Sequence, residues 1–177
     1  MPNYRRSYAA GGTYFFTVNL ADRGSCVLTD HIEDLRAAVR FVRSRRPFEI
    51  EAMVILPDHL HSVWALPVED SDFPTRWKEI KACFTKWTGL SGARSRSQAA
   101  KGERGLWQRR YWEHQIRDER DFRAHVMYCW GNPVKHGLVG KAVEWPYSSI
   151  HRDIRLGRVP SEWGAPMDGE FGERRGA

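Results

Sequence analysis

The chain has 177 residues and a mass of 20.6 kDa, which suits one domain of ordinary size and leaves little room for a second. With 41% apolar and 28% charged residues it can bury a core, so wholesale disorder is excluded. The net charge of +6 favours polyanions as partners, and no run approaches the roughly 18 apolar residues of a membrane span.

The first predicted element is a buried strand over residues 13–20, Thr13-Tyr14-Phe15-Phe16-Thr17-Val18-Asn19-Leu20, rich in aromatic and β-branched side chains. Asp30 and Glu33 have capping-box spacing, and Ile32, Leu35, Val39 and Val42 then recur at helical intervals, which predicts an amphipathic helix closed before Pro47. Residues 48–56 and 59–66 are expected to form an antiparallel hairpin about Pro57-Asp58. Trp77, Ile80, Phe84 and Trp87 mark the apolar stripe of a second helix ending near Gly89. Residues 91–105 lack apolar periodicity and are read as a flexible loop. A fourth strand is expected over residues 106–116, then a third helix over 118–131, with Phe122, Val126, Cys129 and Trp130 on one side and Pro133 closing it.

The order β-α-β-β-α-β followed by a helix is the ferredoxin-like split β-α-β pattern. The expected fold is therefore α+β, an antiparallel sheet with two helices on one face, an added helix and a C-terminal extension. Residues 1–145 are taken as the domain and 146–177 as the extension and tail. That superfold hosts many unrelated activities, so function has to come from the site.

Cys26, Cys83 and Cys129 are odd in number and far apart, with no Cys-x-x-Cys pair, so they read as reduced packing residues. Met1-Pro2-Asn3-Tyr4-Arg5-Arg6 has no apolar signal stretch behind it, and the expected location is the cytoplasm. The excess positive charge is uneven: residues 1–20 contribute +2 and residues 91–123, with nine basic and five acidic side chains, contribute +4. Two solvated surfaces explain this as readily as a polyanion site does.

Residues two apart on a strand share a face, so His59 and His61 can aim both imidazoles at one point, where a metal ion is the natural occupant. An ordinary polar strand surface has the same spacing. On the third helix Tyr128 and Asn132 lie one turn apart, some 40° from each other around the axis and well off the core stripe. Such a pair can present a hydroxyl nucleophile beside a metal-ligating carbonyl. A surface tyrosine and a plain helix end are the simpler reading. His114, His125 and His136 read as solvent-facing or hydrogen-bonded structural histidines, and Tyr111 as a packing or stacking residue.

The chain resembles the REP-associated tyrosine transposases, single-tyrosine members of the HUH nuclease superfamily. The resemblance covers roughly residues 4–165. It is carried by Tyr4-Arg5-Arg6, Gly11-Gly12-Thr13-Tyr14-Phe15-Phe16-Thr17-Val18-Asn19-Leu20, Arg46-Pro47-Phe48-Glu49-Ile50 and Leu56-Pro57-Asp58-His59-Leu60-His61. It continues through Trp107-Gln108-Arg109-Arg110-Tyr111-Trp112-Glu113-His114, Asn132-Pro133-Val134-Lys135-His136-Gly137-Leu138-Val139 and Trp145-Pro146-Tyr147-Ser148-Ser149.

The resemblance implies that His59 and His61 form the metal-binding His-hydrophobe-His motif, that Tyr128 is the nucleophile and that Asn132 completes the metal site, where related insertion-sequence transposases often place Gln. Two nitrogens and an amide oxygen suit manganese better than magnesium, although abundance favours magnesium. The implied activity is cleavage and rejoining of single-stranded DNA through a 5′-phosphotyrosine link, with REP hairpins as the partner. A REP-hairpin or single-strand binding protein without catalysis is the alternative. Arg5, Arg6, Lys78, Lys81, Arg109 and Arg110 are the expected phosphate contacts and Trp112 a stacking platform, whereas Trp77 belongs to the core stripe. A monomer is expected, with a homodimer exchanging the tyrosine helix as the alternative, and the residues after Trp145 are read as an extra helix and a tail over the dimer surface or the active site.

Overall fold

A computed structural model describes residues 8–164. The elements are β1 (Thr13–Asn19), α1 (Val27–Asp30), α2 (Ile32–Arg45), β2 (Glu49–Ile55), β3 (His59–Ala65), α3 (Phe73–Thr88), α4 (Arg96–Ala100), β4 (Trp112–Gln115), α5 (Glu119–Lys135) and α6 (Ile150–Arg155). The four strands lie in the order β2-β3-β1-β4 with every neighbour antiparallel. This is the expected α+β arrangement, in which the helix between β1 and β2 lets β3 slot between them.

Alternation along β1 sends Tyr14, Phe16 and Val18 to one face and Phe15 to the other, and both faces are covered. On the first, α2 and α3 bury Leu35, Ala38, Val42, Phe73, Trp77, Ile80 and Phe84. Trp77 stacks on Trp64 with centroids 4.1 Å apart and belongs wholly to this core. Arg76, buried there, has its charge answered by Asp70 at 2.6 Å and its remaining donors by the carbonyls of Arg46, Pro47 and Asp72. On the second face α5 lays Val126, Cys129 and Trp130 over Phe15, Ala52, Val54 and Val63.

Several local expectations are corrected. The Asp30/Glu33 box does not form, because Asp30 ends α1 and α2 starts at Ile32 behind His31, which provides no side-chain cap. The side-chain cap of α3 is Asp72, which accepts from the Thr75 N–H at 3.1 Å, while Gly89 closes it at φ 71°. Trp87 leaves the core stripe: it is 43% exposed and meets Phe41 edge-on across the outer surface of α2 and α3. Residues 91–105 are not structureless, since α4 carries a capping box of Ser95 and Gln98. The stem of that loop is closed by Gly92 N–H donating to Arg104 at 2.8 Å, where a Cβ on Gly92 would lie 2.5 Å from the Gly105 carbonyl.

The fourth strand is only four residues long, because Leu106 and Trp107 turn into the α2/α3 core and leave a single bridge from Trp107 to Leu20. Pro133 does not close α5, which runs on to Lys135. It sits in the last turn, where one hydrogen bond is forfeited, and the end is made by Gly137 at φ 67° with Gly137 N–H to Val134 and Leu138 N–H to Pro133, both 2.9 Å.

Beyond Trp145 the chain pairs with the outer edge of β2. Ile55 N–H donates to Tyr147 at 2.9 Å, Ser149 N–H to Met53 at 2.8 Å, and the Arg152 guanidinium caps the Ile50 and Glu51 carbonyls at 2.6 Å each. Ile150 is fully buried in the second core, with Ile154, Val159 and Trp163 packed against it. Residues 146–164 thus close a sheet edge and hold the expected extra helix as α6, while 165–177, the end of the expected tail, lie outside the described residues. No helix among the described residues is long and apolar enough to cross a membrane.

Candidate active site

The period of two on β3 puts His59 and His61 on the α5 face, opposite Asn19 and Thr17 of β1. Both imidazoles are buried, and their ring centroids are 5.0 Å apart. His59 Nδ1 lies 2.7 Å from Asp58 Oδ1, and Asp58 is in turn paired with Arg23 Nε at 2.9 Å. A carboxylate at Nδ1 puts the proton on that nitrogen and leaves Nε2 as a lone-pair donor. His59 Nε2 is buried with no hydrogen-bond partner among the described residues. His61 Nδ1 is 2.9 Å from the Thr17 hydroxyl, and its ring stacks on Phe15 at 5.5 Å.

Burial pulls the His61 pKa well below the ordinary histidine value; His59, His136 and Lys135 push the same way, and the Asn132 side chain opposes them. Burial also lowers His59, against the pull of Asp58. Both rings are held neutral, as metal ligands must be.

From α5, Tyr128 comes over the pair: its ring is 5.1 Å from His61 and meets Phe15 edge-on at 5.8 Å. The expectation that Tyr128 faces away from the helix's packing is corrected here. The helix crosses the sheet closely enough that Tyr128, half-buried, touches the margin of the second core with its ring beside that of His61. Asn132, one turn on, is buried, with its amide N and O lacking a hydrogen-bond partner among the described residues. The four residues singled out in sequence are thereby brought together.

Lys135, Asp58 and His136 were missed as members of the group. Lys135 Nζ donates to the Tyr128 hydroxyl at 3.2 Å and lies 4.8 Å above its ring, and the His136 ring is 5.0 Å from that of His59. The run Asn132-Pro133-Val134-Lys135-His136 holds two of the three, but only the helical geometry shows that seven residues on from Tyr128 is the same face.

The expected DNA contacts are scattered. Arg5 and Arg6 lie outside the described residues. Lys78 and Arg110 are exposed, Arg109 is engaged by Glu103 at 3.0 Å, and Lys81 donates to the Gln108 carbonyl at 2.9 Å over the rings of Trp107 and Tyr111. Trp112 is 44% exposed on β4 and meets Phe15 edge-on at 5.7 Å, so it flanks the histidine group. Tyr111 packs with Phe16, Phe73 and Trp77 on the opposite face. A second set of donors, His114, Asp121 and His125, has ligand atoms within 4.8 Å of one another and could hold a metal ion.

No family model matches the chain. A protein of Escherichia coli K12 described as a REP-associated tyrosine transposase is 47% identical over 175 residues, 98% of each chain. A Haemophilus influenzae relative with the same family description is 43% identical over 169 residues, 95% of this chain and 96% of that one. The solved structure of a REP-associated tyrosine transposase bound to a REP hairpin superposes with a TM-score of 0.87 at 46% identity, covering all of both chains. At this identity and coverage the chain belongs to the REP-associated tyrosine transposases.

Proposed function

We propose that the chain cuts and rejoins single-stranded DNA at REP-type hairpins, with Tyr128 as nucleophile. The observation that carries this reading is the convergence of the Tyr128 phenol, 5.1 Å from the His61 ring, with two buried neutral imidazoles and the Asn132 amide. His59 Nε2, His61 Nε2 and the Asn132 oxygen fit a divalent ion of the manganese or magnesium kind: the Nε2 of His59 is an orphaned buried donor, oriented by a carboxylate. Such an ion supplies charge that polarises a phosphate oxygen.

In the reaction the Tyr128 oxygen bonds to phosphorus as the bond to the 3′ oxygen breaks, giving a 5′-phosphotyrosine and a 3′-hydroxyl; the phenolic proton leaves with the 3′ oxygen or solvent. Lys135 places its ammonium on the atom that carries negative charge during attack. Rejoining is the reverse, with the 3′-hydroxyl of a strand attacking the phosphotyrosine. Trp112, which flanks the site, offers the strand a stacking face, and the exposed Arg110 and Lys78 offer phosphate contacts to the rest of the hairpin. The hairpin in the neighbouring solved structure supports this partner. The monomeric reading is supported by the β2 edge, which the chain covers itself with residues 147–149.

Labelled REP oligonucleotides, single-stranded and duplex, with manganese, magnesium or chelator, test the proposal. A denaturation-resistant protein-DNA band is expected with single strands and metal, and its loss in Tyr128→Phe with hairpin affinity retained. Metal-independent hairpin binding with no such band under any condition would make the chain a binding protein instead.

A further inference from the structure

We infer that His114, Asp121 and His125 form a clasp that sets the position of Tyr128, making them positioning residues for the strand-transfer reading above. Asp121 sits in the first turn of α5 and His125 one turn later; His114 is on β4, in direct cross-strand register with Phe15. The Asp121 carboxylate lies 2.8 and 3.1 Å from His114 Nε2 and accepts the Arg117 N–H at 3.0 Å. On its other side His125 Nδ1 is 3.1 Å from Asp121 Oδ1 and 2.9 Å from the Asp121 carbonyl. One carboxylate therefore ties the sheet edge to the start of the nucleophile's helix.

The tie leads to the site by continuous contact. The rings of His114 and His125 stack at 4.7 Å and 19°, and His125 packs on Phe15 at 4.8 Å. Phe15 in turn stacks on His61 at 5.5 Å and meets Tyr128 edge-on at 5.8 Å. The same phenyl ring thus separates the clasp from both halves of the site, the ligand strand and the nucleophile. Tyr128 is only three residues beyond His125 on a continuous helix, so a shift of the anchored turn is transmitted to the phenol. Misplacement by about 1 Å is enough to slow an in-line attack roughly a hundredfold.

The same three residues have the composition of a metal site. Their contacts favour the clasp: nitrogen to oxygen separations of 2.8–3.1 Å are hydrogen-bond distances. The carboxylate also takes a backbone N–H, and a cation, the Arg117 guanidinium, already stands 3.6 Å away.

The experiment measures single-turnover adduct formation and hairpin affinity for the wild type, Asp121→Asn, His114→Ala and His114→Gln. A glutamine amide nitrogen can stand where His114 Nε2 stands, so it retains the bond that alanine loses. Adduct formation is expected to slow at least tenfold in Asp121→Asn and His114→Ala, with the hairpin Kd within twofold of wild type and most of the rate recovered in His114→Gln. In parallel, fluorine NMR of protein carrying Tyr128→fluorotyrosine should show a single narrow signal in wild type and His114→Gln, broadened or split in the other two. An unchanged rate or an unchanged fluorine signal in folded Asp121→Asn overturns the clasp; if that variant does not fold, equal behaviour of His114→Ala and His114→Gln does so. A wild-type rate that requires stoichiometric zinc, lost in His114→Gln, would replace the clasp by a metal site. Absence of any adduct in wild type, with the fluorine signals behaving as expected, would sink the strand-transfer reading and leave the clasp standing.

Discussion

The two faces of the sheet are built from the same strands and do different work. The face under α2 and α3 is packed with aromatic and aliphatic side chains, and the buried Arg76 there has every donor answered. The face under α5 is apolar at one end, around Val63 and Trp130, and polar at the other, where His59, His61 and Asn132 are buried beside Tyr128. Buried polar groups without partners cost free energy, and among the described residues they include the Trp64 and Trp77 indole nitrogens on the first face and His59 Nε2 and the Asn132 amide on the second. The larger aromatic core and the candidate site thus lie on opposite sides of strands β1 and β3.

The largest effect should come from the apolar side. Trp77→Ala removes the ring stacked on Trp64 and is expected to cost about 3–5 kcal/mol, read as a shift of the denaturant midpoint. A loss no greater than that from His61→Ala would break the division between the faces. Asn132→Leu should act oppositely: stability unchanged or raised by about 1 kcal/mol, because a poorly satisfied amide is removed, with metal-dependent adduct formation abolished. Asp58→Asn sharpens the comparison further. It leaves His59 in place but weakens the carboxylate that orients it, and metal affinity by calorimetry should fall about 10- to 100-fold with little change in melting temperature.

Smaller still, Lys135→Met should slow adduct formation roughly tenfold at unchanged hairpin affinity, since it removes a charged hydrogen bond to an exposed-side hydroxyl. The least effect is on pH. His59, His61 and His125 all have pKa values lowered by burial, so the unfolded chain binds more protons than the folded one as pH falls below about 6.5. Metal-free protein should therefore melt at a constant temperature above that pH and at progressively lower temperature beneath it, and His61→Gln should flatten the decline. An equal decline in that variant would assign the effect to other groups.

How much was legible beforehand depends on the range of the interaction. The aromatic and β-branched run of residues 13–20, the strand pattern of 59–66 and the helical stripes of α2 and α3 are local patterns, and they located β1, β3 and the first core. The same rules misplaced the Asp30 cap, since whether a helix starts at a capping residue depends on how the preceding turn packs. They lengthened β4, where Leu106 and Trp107 leave the sheet for the core, and they stopped α5 at Pro133, although burial of Cys129 through Pro133 carries the helix two residues past it to the closure at Gly137. At the site, His59 and His61 share a face by strand period alone, and Tyr128 and Asn132 share one by helical period.

The chain's order of residues, read alone, determined the strand and helix types, the facing of each pair of site residues and the family resemblance, because these follow from backbone periodicity and local spacing. That the pairs meet was decided by tertiary packing: α5 crosses the second face near enough for Phe15 to touch both His61 and Tyr128. So was the closing of the β2 edge by residues from 147 onward, and the joining of His114 to Asp121 and His125. Each of these contacts spans two elements whose separation is set by the volume of the side chains between them, and no local pattern encodes that distance.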